Sequence, residues 1–405
     1  MSIQPIKILV LTSLYPADDI PKSDTPVVHY FTKEWVKNGN SVRVIHFAYN
    51  LPQWAIWIIR TFPHFVSKVW GGVLRTKHLI DKRFIIDDVP VRRITLKKIK
   101  PHGRYRKKII KSVYGACIDY LEQDKFKPDV IVSHWCNPQL EIMQMLKTHY
   151  NVPTVYVAHN KGGELIQAYG GYAHELLRSI NLVGFRSRAI EEEFRERFNY
   201  NGPSFRCNSG IPEQFASQDI VVRNFSEINS FIYVGTFIPR KYPDVIMPAV
   251  LTALGNTRFT ISFVGKGDKE DTLYHQIEQL GLKEQVMMYG YVDRLEVNRL
   301  LKQHDIFVMV SSGETFGLVY LEAMSTGCIT IASRNEGMDG IIQHGINGFL
   351  CKAGDEAELT RLIQEIRKMP KEELQRISVN AIATARKLTD KNVAEDYLNC
   401  IRGLF

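Results

Sequence analysis

Two glutamates eight residues apart, Glu314 and Glu322, lie in the stretch Ser311-Ser312-Gly313-Glu314-Thr315-Phe316-Gly317-Leu318-Val319-Tyr320-Leu321-Glu322. An apolar run, Asp305 to Val310, comes before it, and a second, Cys328 to Ala332, comes after. The pattern between these buried strands is a short polar loop followed by one helix, with Phe316-Gly317 marking the helix start. Free backbone N–H groups at a helix N-terminus favour an anion, and a nearby glycine lets the backbone come close to it. Carboxylates accept hydrogen bonds from hydroxyls. Together these groups suit a phosphorylated sugar. A second charged pair, Arg240-Lys241, follows the apolar run Phe231–Val234 and Gly235. Two adjacent cations beyond a strand end suit a diphosphate, whose charge they would neutralise in the ground state and on a leaving group. For a lone Arg-Lys pair a solvated loop is the simpler reading, but its place after Gly235 favours the diphosphate.

Strand–helix alternation positions these residues. In the first half, Lys7–Thr12, Ser41–Phe47, Asp129–Ser133, Thr154–Ala158 and Asn181–Phe185 read as strands, with helices over 27–38 and near 138–149. In the second half, Phe231–Gly235, Thr260–Gly265, Val286–Gly290, Ile306–Val310 and Ile329–Ala332 read as five more. Continuous apolar strands alternating with helices predict parallel sheets covered on both faces, and ligands bind outside the carboxyl ends of such strands. Gly235, Gly265 and Gly290 close three strands where ligand-facing loops would start. The stretch from Glu372 to Ile401 reads as one helix. A chain of 405 residues fits two α/β domains. The boundaries read as 1–205, 206–385 and a terminal helix at 386–405.

This pattern resembles the retaining glycosyltransferases of family 4. The residues that carry the resemblance are Glu314 and Glu322 with the Ala323-Met324 and Gly327 that follow, the loop at Arg240-Lys241, the turn Gly265-Lys266-Gly267, and Tyr289-Gly290-Tyr291-Val292. The segments Asn335–Ile342 and His344–Leu350 continue it. The resemblance implies an α/β fold of GT-B type, two doubly wound Rossmann-like domains facing a central cleft, with the terminal helix packing back on the first domain. It also implies a donor nucleotide sugar, UDP- or GDP-linked, as substrate and no cofactor. Glu314 would accept from hydroxyls of the donor sugar and Glu322 from the ribose. Backbone N–H groups of Phe316, Gly317 and Leu318 would meet phosphates or hydroxyls, and the backbone at Tyr291 and Val292 would lie beside the base. His159, after the strand Thr154–Ala158, matches a histidine that faces the donor hexose. His134 is a weaker candidate of the same kind, and Asn208 and Gly210 match a family pair at the hinge between domains. One departure matters: the loop Tyr15–Pro26 lacks the Gly-Gly pair of many relatives, so acceptor contacts there do not carry over.

The +9 net charge is uneven. Residues 1–200 carry 30 Lys and Arg against 18 Asp and Glu, whereas residues 201–405 carry 22 against 25. Residues 53–70 hold three Trp and two Phe but are interrupted by Arg60 and Pro63, which fits an interfacial segment rather than a membrane span. Residues 92–111 contain ten Lys or Arg and no acid. Residues 53–111 are therefore expected to meet an anionic membrane surface. No nucleic-acid motif accompanies the basic run, so nucleic acid is not expected as a partner. Six scattered cysteines without a CxxC pair, and an N-terminus lacking a signal-peptide pattern, lead to the expectation of a cytoplasmic protein, peripheral at the inner face of the membrane. No Asp-x-Asp metal motif occurs, so a metal-independent site is expected. The function expected is transfer of a hexose to a hydroxyl of a lipid-linked or oligosaccharide acceptor in cell-surface polysaccharide biosynthesis. Two rivals are a nucleotide-sugar epimerase of the same fold and a catalytically silent partner subunit.

Overall fold

The structure, a computed structural model, describes residues 4–20, 26–61, 78–97, 103–216 and 223–405. The chain forms two compact units. The first runs to Arg186 and adds Ile190–Cys207 and Val393–Phe405; the second comprises Ser187–Ala189 and Asn208–Asn392.

The first unit is built on an eight-stranded sheet of β1 (Lys7–Thr12), β2 (Ser41–Asn50), β3 (Lys82–Ile86), β4 (Val89–Lys97), β5 (Val130–His134), β6 (Thr154–Ala158), β7 (Leu182–Phe185) and β8 (Ser204–Arg206). Its order is β3-β4-β2-β1-β5-β6-β7-β8. All pairings are parallel except β3 with β4. Those two form a hairpin whose turn residues, Asp87 and Asp88, both have positive φ, as a two-residue hairpin turn requires. β5 and β6 are buried along their whole length, which explains their unbroken apolar sequences.

The second unit carries β9 (Ser230–Val234), β10 (Thr260–Val264), β11 (Val286–Gly290), β12 (Ile306–Val308), β13 (Ile329–Ser333) and β14 (Phe349–Cys351). Their order is β11-β10-β9-β12-β13-β14, all parallel. The progression reverses between β9 and β12, and that switch point is where open α/β sheets take ligands. In the first unit the equivalent reversal lies between β1 and β5.

The C-terminal stretch is two helices, Lys371–Lys387 and Asp390–Arg402, where the local pattern predicts one. Ile211 causes the break. Its N–H donates to the Leu388 carbonyl at 3.0 Å, and its own carbonyl accepts from Asp390 N–H at 2.8 Å. Thr389 Oγ1 then accepts from Asn392 N–H at 3.2 Å and caps the final helix. Gly210 is required by the same crossing, since a Cβ there would lie 2.4 Å from Asp390 N.

Candidate functional site

The loops after β9 and β12 meet at the switch point of the second unit. Ser312 N–H donates to the Arg240 carbonyl at 2.7 Å, tying the β12 loop to the short 3-10 turn Pro239–Lys241. This brings Glu314 Oε2 to 3.5 Å from Arg240 Nη1 and 3.6 Å from Lys241 Nζ. That oxygen is buried and has no hydrogen-bond partner among the described residues. A buried carboxylate oxygen flanked by two cations, yet bonded to neither at close range, leaves hydrogen-bonding capacity for a ligand. Glu314 is itself held from behind, because its N–H donates to Glu336 Oε2 at 3.0 Å.

Tyr320 shapes the loop above it. Its buried hydroxyl donates to the Met309 carbonyl at 2.7 Å and lies 3.1 Å from Ser311 Oγ. Burial, with the nearby Glu314 charge adding to it, pushes this phenol well above its ordinary value, so it stays a donor. Gly317 sits on the ring of Tyr320 with φ +82°, and a Cβ there would lie 2.5 Å from two ring carbons. Only glycine fits both demands. The helix Leu318–Ser325 starts beyond it with no side-chain cap, so the backbone at Phe316, Gly317 and Leu318 forms an N-terminus facing the loop. Gly337 packs against that backbone, where a Cβ would lie 2.6 Å from Phe316 N.

Glu322 is the fifth residue of this helix and is only 6% exposed. Its Oε1 receives Arg294 Nε at 2.5 Å. Burial raises its pKa above the ordinary carboxylate value, with the Arg294 charge opposing that rise. Arg294 begins the helix Arg294–Gln303, whose N-cap Asp293 accepts from Glu296 N–H. Its guanidinium stands 5.5 Å from the Phe215 ring centroid, and its Nη2 is buried without a partner among the described residues.

The glycines at the other strand ends act through backbone packing. Gly265, with φ +142°, lies so close to Gly235 that a Cβ would meet the Gly235 carbonyl oxygen at 2.0 Å. Lys241 Nζ lies 3.4 Å from where a Gly235 Cβ would stand. Tyr291 is 66% exposed and Val292 half-buried, just beyond the edge strand β11.

Known proteins match this chain in both sequence and fold. The family described as "Glycosyl transferases group 1" matches residues 218–384, which include every residue named above for this site except Phe215. N-acetyl-alpha-D-glucosaminyl L-malate synthase of Bacillus anthracis is 31% identical over 145 residues, 36% of this chain and 37% of that protein. Lipopolysaccharide core biosynthesis glycosyltransferase LpsE of Rhizobium meliloti is 30% identical over 258 residues, 58% of this chain and 73% of that one. The chain belongs to the group 1 glycosyl transferases. It spans between 37% and 65% of the length of the first three curated relatives. Among solved structures, HepE of Anabaena, crystallised with UDP and glucose, aligns over 98% of this chain and 100% of its own with a TM-score of 0.65 at 18% identity. That likeness runs through both units and shows the GT-B fold.

In this family member His159 belongs to the first unit, at the carboxyl end of β6. It is buried, with Nε2 2.8 Å from Nδ1 of His134 at the end of β5, and Trp135 stacks on its ring at 3.9 Å. Sequence reading named His134 only as a weaker candidate and had no means of finding Arg294 or Glu336. Arg294 opens an ordinary amphipathic helix, and Glu336 lies inside the segment 335–342, which carried no assigned role. Asn208 and Gly210 stand at the crossing between units, and Gly210 has a packing reason of its own.

The basic run 92–111 is not one exposed stretch. Arg93, on β4, is buried and makes two 2.7 Å bonds to Asp19. Arg92 pairs with Asp81, and Arg104 with Glu141. Acids supplied from elsewhere in the chain neutralise these three. Arg106, Lys107, Lys108 and Lys111 remain exposed, and residues 98–102 lie outside the described residues, as do residues 62–70 of the Trp-bearing stretch. Among the described residues no cluster of three His, Cys, Asp or Glu could hold a metal ion.

Proposed function

We propose that this chain is a retaining glycosyltransferase that moves a hexose from a nucleoside diphosphate sugar to a hydroxyl of a lipid-linked glycan acceptor in cell-surface polysaccharide assembly. The observation that carries this reading is Glu314 Oε2, buried and unbonded between Arg240 and Lys241 at the β9/β12 switch point. The diphosphate takes the two cations and the N-terminus of the helix Leu318–Ser325, and the sugar hydroxyls take Glu314. Glu322 takes the ribose. As the glycosidic bond to the leaving oxygen breaks, Arg240 and Lys241 receive the charge that develops on the diphosphate. The acceptor hydroxyl attacks from the same face and gives its proton to the leaving phosphate, so the anomeric configuration is kept. The UDP and glucose held by HepE and the lipopolysaccharide role of LpsE favour this donor and acceptor class. UDP- and GDP-sugars screened by thermal shift identify the donor, because a ligand that binds only the folded state raises its stability.

The test is acceptor-dependent release of nucleoside diphosphate, undiminished by EDTA, with the product anomer matching the donor's. Glu314→Ala is expected to lower turnover on the order of 10²-fold, the scale of losing a charged hydrogen bond worth about 1.5–3 kcal/mol that holds the sugar. Full activity in that variant refutes the site. Isomerised sugar nucleotide formed without acceptor identifies an epimerase instead.

The first unit supports a membrane-facing role at the cytoplasmic leaflet. On the helix Gln53–Thr61, Ala55 and Ile56 pack with Leu51 just before it, while Trp54 and Trp57 stand 59% and 65% exposed. That helix follows β2, whose last residue, Asn50, pairs with Lys97 at the end of β4, so the basic segment leaves from the adjoining strand end. The helix Lys107–Gln123 begins with lysines and has neither an acid in its first turn nor a side-chain cap. Cations at a helix N-terminus are unfavourable, and an anionic surface relieves them. Among the described residues no helix is long and apolar enough to cross a membrane.

A further inference from the structure

We propose that Tyr397 and His134 are positioning residues that hold His159 in its Nδ1–H tautomer, so that it presents a neutral N–H donor to a sugar hydroxyl oxygen. The inference rests on the proposed sugar transfer and on the family resemblance that turns His159 toward the donor hexose, but its geometry lies wholly within the first unit.

The three side chains form one line. Tyr397, on the helix Asp390–Arg402, places its hydroxyl 3.5 Å from His134 Nε2, and His134 Nδ1 lies 2.8 Å from His159 Nε2. All three are buried. Tyr397 is fixed by edge-on contacts with Phe31 and Trp35, and Trp35 Nε1 donates to the Ala394 carbonyl at 2.8 Å, which docks the same helix. Trp135 lies nearly parallel to the His159 ring, at 13°. Trp135 reaches that position with φ +65°, a left-handed conformation uncommon for a bulky residue.

Both imidazoles are neutral. Burial, with the Arg186 cation adding to it, pushes His134 down to about 3 and His159 well below its ordinary value. A neutral imidazole carries one N–H, so a bond between two ring nitrogens demands complementary tautomers. In one arrangement His134 Nδ1–H donates to His159 Nε2, which leaves His134 Nε2 bare to accept the Tyr397 hydroxyl. In the other, His159 Nε2–H donates and His134 Nε2 carries a proton toward Tyr397. Among the described residues, His134 Nε2 is the only hydrogen-bond partner of the Tyr397 hydroxyl. The second arrangement therefore strands a buried O–H without an acceptor, and the first satisfies both the Tyr397 O–H and the His134 N–H. The first places the remaining proton of His159 on Nδ1, which has no partner among the described residues. His159 borders a small cavity together with Asn160, Lys161 and Gly162, with room for about one water.

Nitrogen-15 histidine NMR on the unliganded full chain at pH 7, assigned with His159→Gln and His134→Gln, reads the tautomer directly. The expected wild-type spectrum has a protonated Nδ1 and a bare Nε2 at His159. In Tyr397→Phe that preference weakens and His159 becomes a tautomer mixture, while the melting temperature stays close to wild type. A His159 protonated on Nε2 in the wild type overturns the inference, as does an unchanged tautomer in Tyr397→Phe. The wild-type spectrum needs no variant, so it decides even where a substitution disturbs folding. Activity is a separate readout: Tyr397→Phe is expected to lower kcat/KM for the donor about tenfold, the scale of one hydrogen bond. If the NMR result holds and the donor's kcat/KM does not move, the positioning stands and the assignment of His159 to the sugar site falls.

Discussion

Arg294→Met tests the pairing beneath the donor site most directly. Glu322 is almost wholly buried, and Arg294 Nε at 2.5 Å is its only ionic partner among the described residues. Breaking a buried pair by removing one member costs about 3–5 kcal/mol, and because Arg294 is 32% exposed the lower end, about 3 kcal/mol at pH 7, applies. The pH dependence has a definite sign. Burial holds the folded-state pKa of Glu322 above its ordinary value of 4.5 even with Arg294 present. The contribution of this group to stability is therefore fully present at low pH and is lost as pH rises through the folded pKa. Removing Arg294 takes away the opposing influence and raises that pKa further, which extends the loss toward neutrality. Proton uptake then offsets part of the penalty on acidification, so the penalty should be smaller at pH 5.5 than at pH 7. All five tryptophans precede residue 140, so fluorescence follows only the first unit. Hydrogen exchange of the helix Leu318–Ser325 across a urea series is the suitable assay. Adding Glu322→Gln should recover most of the loss. An equal penalty at both pH values, or one below about 1 kcal/mol at pH 7, refutes the reasoning.

Gly317→Ala should destabilise the second unit by about 2–5 kcal/mol, from about 1–2 kcal/mol for a left-handed residue plus 1–3 kcal/mol for overpacking against Tyr320. A loss under about 1 kcal/mol in the same exchange assay means that the helix start does not need glycine. Wild-type protein should co-sediment with phosphatidylserine vesicles, less so in high salt. Replacing Arg106, Lys107, Lys108 and Lys111 with Gln should weaken partition by about 10³-fold, at about 1 kcal/mol per charge. Binding indifferent both to salt and to these changes removes the membrane assignment.

Local pattern was enough for many elements. Thr154–Ala158 and Val286–Gly290 are strands with the limits their apolar runs imply. It failed where a distant residue overrides it. The helix predicted over 372–401 is cut by Ile211, more than 170 residues away, through backbone bonds that no periodicity records. Arg93 sits in a run that reads as facing a membrane surface, yet it is buried because Asp19, 74 positions earlier, supplies both hydrogen bonds. Arg294 gave no signal because its partner Glu322 lies 28 positions on, across a helix and a strand.

The sequence alone determined the two α/β halves and placed Glu314, Glu322, Arg240 and Lys241 beyond strand ends, since apolar periodicity and glycine positions are local properties. Tertiary structure decided that β12 lies beside β9, which brings a carboxylate to 3.5 Å and 3.6 Å from cations more than 70 residues earlier. Strand order is set by hydrogen bonds and packing between segments far apart in the chain, and that information does not reside in any one stretch of it.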